Sequence, residues 1–194
     1  MTTRTLMLLA AGAAALSLAA CGKNDGGAED QSNEAVNAAQ DAASTAVGAA
    51  AAQTGAATTE GFVTNATIAN MYEIEAAKMA LQRSNDAKVK AVAQKILDDH
   101  TKAGEEMKAA AAGMTLPTAL DERHKGLLDN LRGASNENFD RVYLEQQQSA
   151  HREAIDLFGG YADGGDNAAL KAFAAKTRPH LETHLQMVDA AMGG

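Results

Sequence analysis

Between Val89 and Met107, the residues Val89, Val92, Ala93, Ile96, His100, Ala103 and Met107 recur every three or four positions. On a helix with about 3.6 residues per turn they form one apolar stripe, with a histidine set into its middle. An imidazole on a buried helix face has to be hydrogen-bonded, neutral and packed, or bound to something. Three further segments show the same period with a polar group in a comparable place. The first runs from about Glu60 to Arg83 behind the N-cap candidates Thr58 and Thr59, with the stripe Phe62, Ala66, Ala69, Glu73, Ala76 and Ala80. Ser84-Asn85-Asp86 closes it and caps the second, Ala87 to Ala112, which ends at Gly113. Ser135 is the expected cap of the third long segment, Asn136 to about Ala162, whose stripe is Asp140, Tyr143/Leu144, Gln147, His151, Ala154/Ile155 and Phe158. Gly164-Gly165-Asp166 is a turn and cap before the fourth, Asn167 to Met192, with Leu170, Phe173, Ala174, Thr177, Leu181, His184 and Val188 in line. Pro179 lies inside that helix and is expected to kink it, leaving the Ala175 carbonyl without its usual donor.

The connection from the second to the third long helix passes Pro117 and holds a short amphipathic helix, about Asp121 to Arg132, with Leu127, Leu128 and Leu131 on its apolar side. No segment alternates with period two, so the chain is all-α. Asp86-Ala-Lys-Val-Lys-Ala-Val-Ala-Gln-Lys95 is echoed by Asn167-Ala-Ala-Leu-Lys-Ala-Phe-Ala-Ala-Lys176 at an offset of 81. Two hairpins so related pack as an antiparallel four-helix bundle with pseudo-two-fold symmetry, and a long crossover with a short helix is the ferritin-like connection.

The offset also places the polar groups along the bundle. Subtracting 81 sets His180 opposite Asp99 and His184 opposite Ala103, bracketing His100; adding 81 to Glu73 gives Ala154, one turn from His151. At 1.5 Å per residue these groups fall within about 10 Å along the axis and can converge on one or two centres. Imidazoles with a few carboxylates suit Fe, Cu, Zn or Ni. The bland reading pairs each histidine with a core partner such as Asp99, Asp140, Tyr143 or Gln147 and needs no metal. Asp140 also suits a helix N-terminus on electrostatic grounds alone. His124 is expected on the solvated side of the short helix, and Met71, Met79, Met107 and Met187 are read as core filler rather than copper ligands.

The N-terminal residues point to a compartment. Met1 to Arg4 forms a short basic start, and Leu6 to Ala20 is an apolar stretch too short to span a bilayer as a stable helix. Leu18-Ala19-Ala20-Cys21 resembles a bacterial lipobox, whose cysteine is lipidated and becomes the first mature residue; it is also the chain's only cysteine. Gly22 rather than an aspartate after it suggests, by resemblance to enterobacterial sorting, the outer membrane over the inner one. With Cys21 acylated, no thiol remains for a disulfide, a thiolate metal site or a nucleophile. Losing residues 1–20 removes Arg4 alone among the charged groups, so the mature charge is 16 − 25 = −9. Such a chain is a poor partner for nucleic acid, and its link to the membrane is the acyl anchor. Residues 22–57 are alanine-rich, with Val36 and Val47 as the only larger aliphatics and no aromatic. They cannot hold a core. As a flexible tether they would span about 35 Å. The expected organisation is a signal segment 1–20, lipidated Cys21 and tether to residue 57, and a bundle domain 58–194.

Glu73-x6-Ala80, the run Leu97-Asp98-Asp99-His100-Thr101-Lys102, Phe139-Asp140-x2-Tyr143, His151 and Pro179-x4-His184 together resemble a bacterial family of envelope proteins. It is known as domain of unknown function 4142. The resemblance covers about Gly61 to Ala191 and implies a ferritin-like bundle, an envelope location, and Glu73, Asp99, His100, Asp140, Tyr143, His151 and His184 as motif positions. Di-iron ferritins use Glu-x-x-His on two helices; here Leu97 and Leu181 stand where those glutamates would be, so a standard di-iron carboxylate site is not expected. The candidate metal ligands are therefore Glu73, Asp99, His100, His151, His180 and His184, for a mononuclear or redox-inert site.

Two functions compete at this point. One is a lipid-anchored envelope protein whose bundle binds a metal ion or a small partner, in stress tolerance or metal handling. The other is a non-catalytic structural or interaction module, with a protein partner the sequence does not name and a buried His/Asp/Tyr hydrogen-bond network. No serine nucleophile elbow, phosphate loop or zinc-protease helix motif is present, which leaves redox chemistry on a metal as the one enzymatic route.

Overall fold

The computed structural model describes residues 58–193. The expectations for residues 1–57, the lipidated Cys21 and the tether among them, lie outside the described residues. Among the described residues five helices follow one another: α1 (Thr59–Arg83), α2 (Ala87–Ala110), α3 (Glu122–Gly133), α4 (Phe139–Gly164) and α5 (Ala168–Met192). No strand occurs among the described residues, and none of these helices is long and apolar enough to cross a membrane.

Local chemistry starts four of the helices: Thr58 and Asp86 cap where the sequence places them, Asp121 stands one residue before its helix, and the last cap is Asn167 rather than the expected Asp166. The Thr58 hydroxyl accepts from the Gly61 amide, Asp86 from Lys88 and Val89, Asp121 from His124, and Asn167 from Ala169 and Leu170. Each cap satisfies amides that have no partner inside the helix. Beyond the end of α2, Gly113 takes φ +87°, a left-handed conformation that glycine adopts without a Cβ penalty. Helix α5 runs through Pro179 without interruption.

The start of α4 departs from expectation. Ser135 does not cap it: residues 136–138 form a turn, and the helix begins at Phe139. A tertiary clamp accounts for the difference. The Arg83 guanidinium donates to the carbonyls of Leu131, Arg132 and Ala134 and to Asn136 Oδ1, while its carbon lies 4.3 Å from the centre of the Phe139 ring. A planar fork of donors gathers the linker around the end of α1, so those residues turn rather than extend the helix.

Helix α1 packs on α2 and α4, and α5 packs on α2 and α4. The three-residue links at 84–86 and 165–167 make α1–α2 and α4–α5 antiparallel hairpins, and the long α2–α4 crossover carries α3 against α1 and α4. The result is a four-helix bundle with the expected extra helix. Gln146 locks α3 in place: its amide donates to the Leu127 carbonyl and Asn130 Oδ1, and it accepts from the buried Tyr72 hydroxyl at 3.0 Å. His124 is not solvated as expected. Its imidazole is largely covered, bonded to Asp121 and tilted against Tyr72.

Two apolar clusters fill the bundle. One holds Tyr72, Ile96, Leu131, Phe139 and Val142. The other holds Phe62, Met107, Phe158, Tyr161 and Leu170, with Phe62 stacked on Tyr161 at 4.1 Å. Along α2 the first cluster ends at Ile96 and the second begins at Met107; along α4 the gap lies between Leu144 and Phe158. The polar residues occupy this interval at mid-height.

Candidate metal centre

His100 from α2, His151 from α4 and His184 from α5 are all buried in that interval, with 7%, 1% and 1% of their surface exposed. Their ring centres form a nearly equilateral triangle of 5.7, 5.5 and 5.3 Å sides. One nitrogen from each lies within 4.8 Å of the others.

The outer nitrogen of every ring is held by an oxygen. His184 Nε2 donates to Asp99 Oδ2 at 2.8 Å, His151 Nδ1 to the Gln147 carbonyl at 2.9 Å, and His100 Nδ1 to Asn70 Oδ1 at 3.1 Å. A carbonyl or carboxylate oxygen can only accept, so these contacts place the proton of each neutral imidazole on the outer nitrogen. The inner nitrogens then carry bare lone pairs. His151 Nε2 faces His184 Nδ1 at 3.3 Å, and His100 Nε2 is buried with no protein partner among the described residues.

Protonation is the costly way to relieve that arrangement. Burial pushes all three imidazoles below their ordinary value, His151 down to about 4, and neighbouring histidines push His100 and His151 further the same way. Burial alone would raise Asp99, but the hydrogen bonds from Lys95 and His184 outweigh it and hold the carboxylate ionised. Metal–nitrogen bonds of about 2.1 Å at a tetrahedral angle put ligand nitrogens about 3.4 Å apart, close to the His151–His184 spacing. The three histidines can hold a metal ion.

The other expected ligands fall into different places. Asp99 reaches the centre only through His184, as a carboxylate that orients an imidazole. Glu73 is 3% exposed, and its Oε1 stands 3.9 Å from His151 Nδ1, the outer nitrogen. Its Oε2 makes no hydrogen bond of normal geometry among the described residues. Burial pushes this carboxyl up to about 8, with a partial offset from the Gln147 side chain. His180 is not part of the centre. It is exposed, because the buried stripe Leu170, Thr177, Leu181, His184 and Val188 is centred to one side of His184, and at about 100° per residue His180 falls on the other.

Asp140 and Tyr143 are not brought to the imidazoles either: they lie on α4 about 16 and 12 Å before His151 at 1.5 Å per residue. Asp140 sits in the first turn of α4. The Tyr143 ring is parallel to that of Phe139, and its hydroxyl is buried without a partner among the described residues. Asn70 is the member of the site that the helical pattern does not reveal. It stands one turn before Glu73, at the edge of an alanine-rich stripe, and nothing local marks it as a histidine's partner.

A bundle carrying a buried three-histidine centre on three of its four long helices defines the class of this protein. Residues 31–191 match the family described as domain of unknown function 4142, and the chain belongs to it. The match begins ahead of the described domain, whereas the motif resemblance begins at Gly61. No curated protein matches the chain. No solved structure matches it either.

Proposed function

We propose that this protein is a lipid-anchored component of the bacterial envelope that binds one transition-metal ion through His100, His151 and His184, and serves in metal handling or stress tolerance. The observation that carries the metal reading is the pair of bare nitrogens, His151 Nε2 and His184 Nδ1, facing each other at 3.3 Å. Two acceptors in contact repel unless a cation lies between them, and burial disfavours a proton as that cation. The competing hydrogen-bond network pairs each histidine with a core group, and Asp99 does hold His184; it supplies no donor for the facing nitrogens of His151 and His184 or for the buried His100 Nε2. An all-imidazole set favours Cu, Zn, Ni or Fe over Mg or Ca.

The chain purified without a histidine tag and dialysed after incubation with each metal retains about one equivalent of a preferred ion, and His151→Ala retains less than about a tenth of that. Equal retention by the variant, or none by either, sinks the reading. The anchor rests on the Leu18-Ala19-Ala20-Cys21 pattern. Cells fed an alkyne fatty acid label the protein, and Cys21→Ser removes the label; a labelled Cys21→Ser protein rules out this anchor.

A further inference from the structure

A cavity of about 30 Å³ adjoins two of the three histidines, His100 and His151, and is lined also by Glu73, Asn70 and Thr177 and otherwise by apolar side chains. Small residues on three helices make the room: Ala66 and Ala69 on α1, Ala103 on α2, Ala150 and Ala154 on α4. Met107, Phe158, Phe173 and Leu181 wall it. Leu181 occupies the position three residues before His184, so the wall is apolar where a ferritin-like site would carry a carboxylate. Two polar atoms without hydrogen-bond partners among the described residues belong to lining residues, His100 Nε2 and Glu73 Oε2, both on side chains more than nine-tenths buried.

Three histidines leave a tetrahedral ion one position short, which is the arrangement of sites that take an outside ligand rather than of closed structural ones. Glu73 is badly placed to fill that position. It approaches His151 from the Nδ1 side, whereas the Nε2 nitrogen faces His184. At about 10–15 Å³ for each water-sized centre, the cavity of about 30 Å³ has room for two or three non-hydrogen atoms.

Taking the metal centre proposed above as given, we propose that the ion keeps one position open to this cavity and binds there a small donor ligand of two or three heavy atoms, in the size class of dioxygen, peroxide and azide. Glu73 Oε2 hydrogen-bonds the ligand's far end, and the alanines set the size limit.

Cobalt(II) loading of the tag-free chain, followed by azide titration, tests this. Metal content is read by elemental analysis and ligand binding by the visible absorption of the ion. The expected result is about one equivalent of cobalt and a saturable spectral change with azide. Ala154→Leu keeps the cobalt but weakens azide binding tenfold or more, and Ala154→Val, a smaller filling, gives the same direction if the leucine variant does not fold. Stoichiometric cobalt with a spectrum indifferent to azide overturns the open position and leaves the metal centre standing. Absence of cobalt and of every other metal overturns both. Azide binding undiminished in the filled variants overturns the placement of the ligand in the cavity.

Discussion

If the proposed ion binds, chelation of protein first incubated with excess metal is expected to lower the melting temperature by 10 °C or more, while His151→Leu does not respond to chelator at all. An ion that binds only the folded state stabilises it by about 4 kcal/mol when present at a thousand times its dissociation constant. In a domain of this size each kcal/mol moves the melting temperature by roughly 3–6 °C. The metal-free protein bears an opposite cost: three desolvated imidazoles whose inner nitrogens face one another, His151 and His184 at 3.3 Å. Leucine at position 151 removes one of those nitrogens from a site that is 1% exposed and fills most of the ring's volume. It leaves the Gln147 carbonyl without its side-chain donor, a loss of about 1 kcal/mol. The stripped variant should therefore melt within a few degrees of the stripped parent. Calorimetry before and after chelation decides it. A parent protein, first incubated with excess metal, whose melting temperature ignores the chelator would show that the histidines hold nothing that contributes to folding.

The helical period was legible because burial enforces it: four stripes, the two short links and the caps at Thr58 and Asp86 are local features, and the observed ends of α1, α2, α3 and α5 lie within two residues of those expected. The start of α4 was not, because the Arg83 clamp that shapes residues 131–136 joins parts of the chain some 50 positions apart. The convergence of His100, His151 and His184 followed from the internal echo, which fixes relative height. Height does not fix rotation, and His180 shows the difference: it stands one turn from His184 at a suitable level, yet faces solvent. Which nitrogens are free could not be read at all. That depends on three oxygens from different sources, Asn70 of α1, Asp99 of α2 and the Gln147 backbone of α4, and only their meeting in space assigns the protons.

The metal-free protein should be most stable near pH 6 to 7, and Glu73→Gln should abolish the decline on the alkaline side. In the folded chain Glu73 holds its proton up to about 8, against 4.5 in an open chain. Between those values the folded state binds one proton more than the unfolded state, so stability falls as pH rises. At about 1.4 kcal/mol per pH unit the whole interval amounts to roughly 3–5 kcal/mol, fully expressed above pH 8. The histidines act in the opposite sense. Below about 6.5 an unfolded imidazole takes up a proton that buried His100, His151 and His184 resist, His151 down to about 4. Stability therefore rises with pH through that range, and three imidazoles outweigh one carboxyl until they are neutral in both states. Glutamine keeps the shape of Glu73 and cannot ionise. Urea denaturation in chelator from about pH 5.5 to 8.5 should show the gap between parent and variant widening steadily with pH up to about 8, with the variant the more stable. Two curves that stay parallel from pH 6.5 to 8.5 would mean that Glu73 is ionised in the folded protein at neutral pH, with a cation beside it that the chelator does not remove.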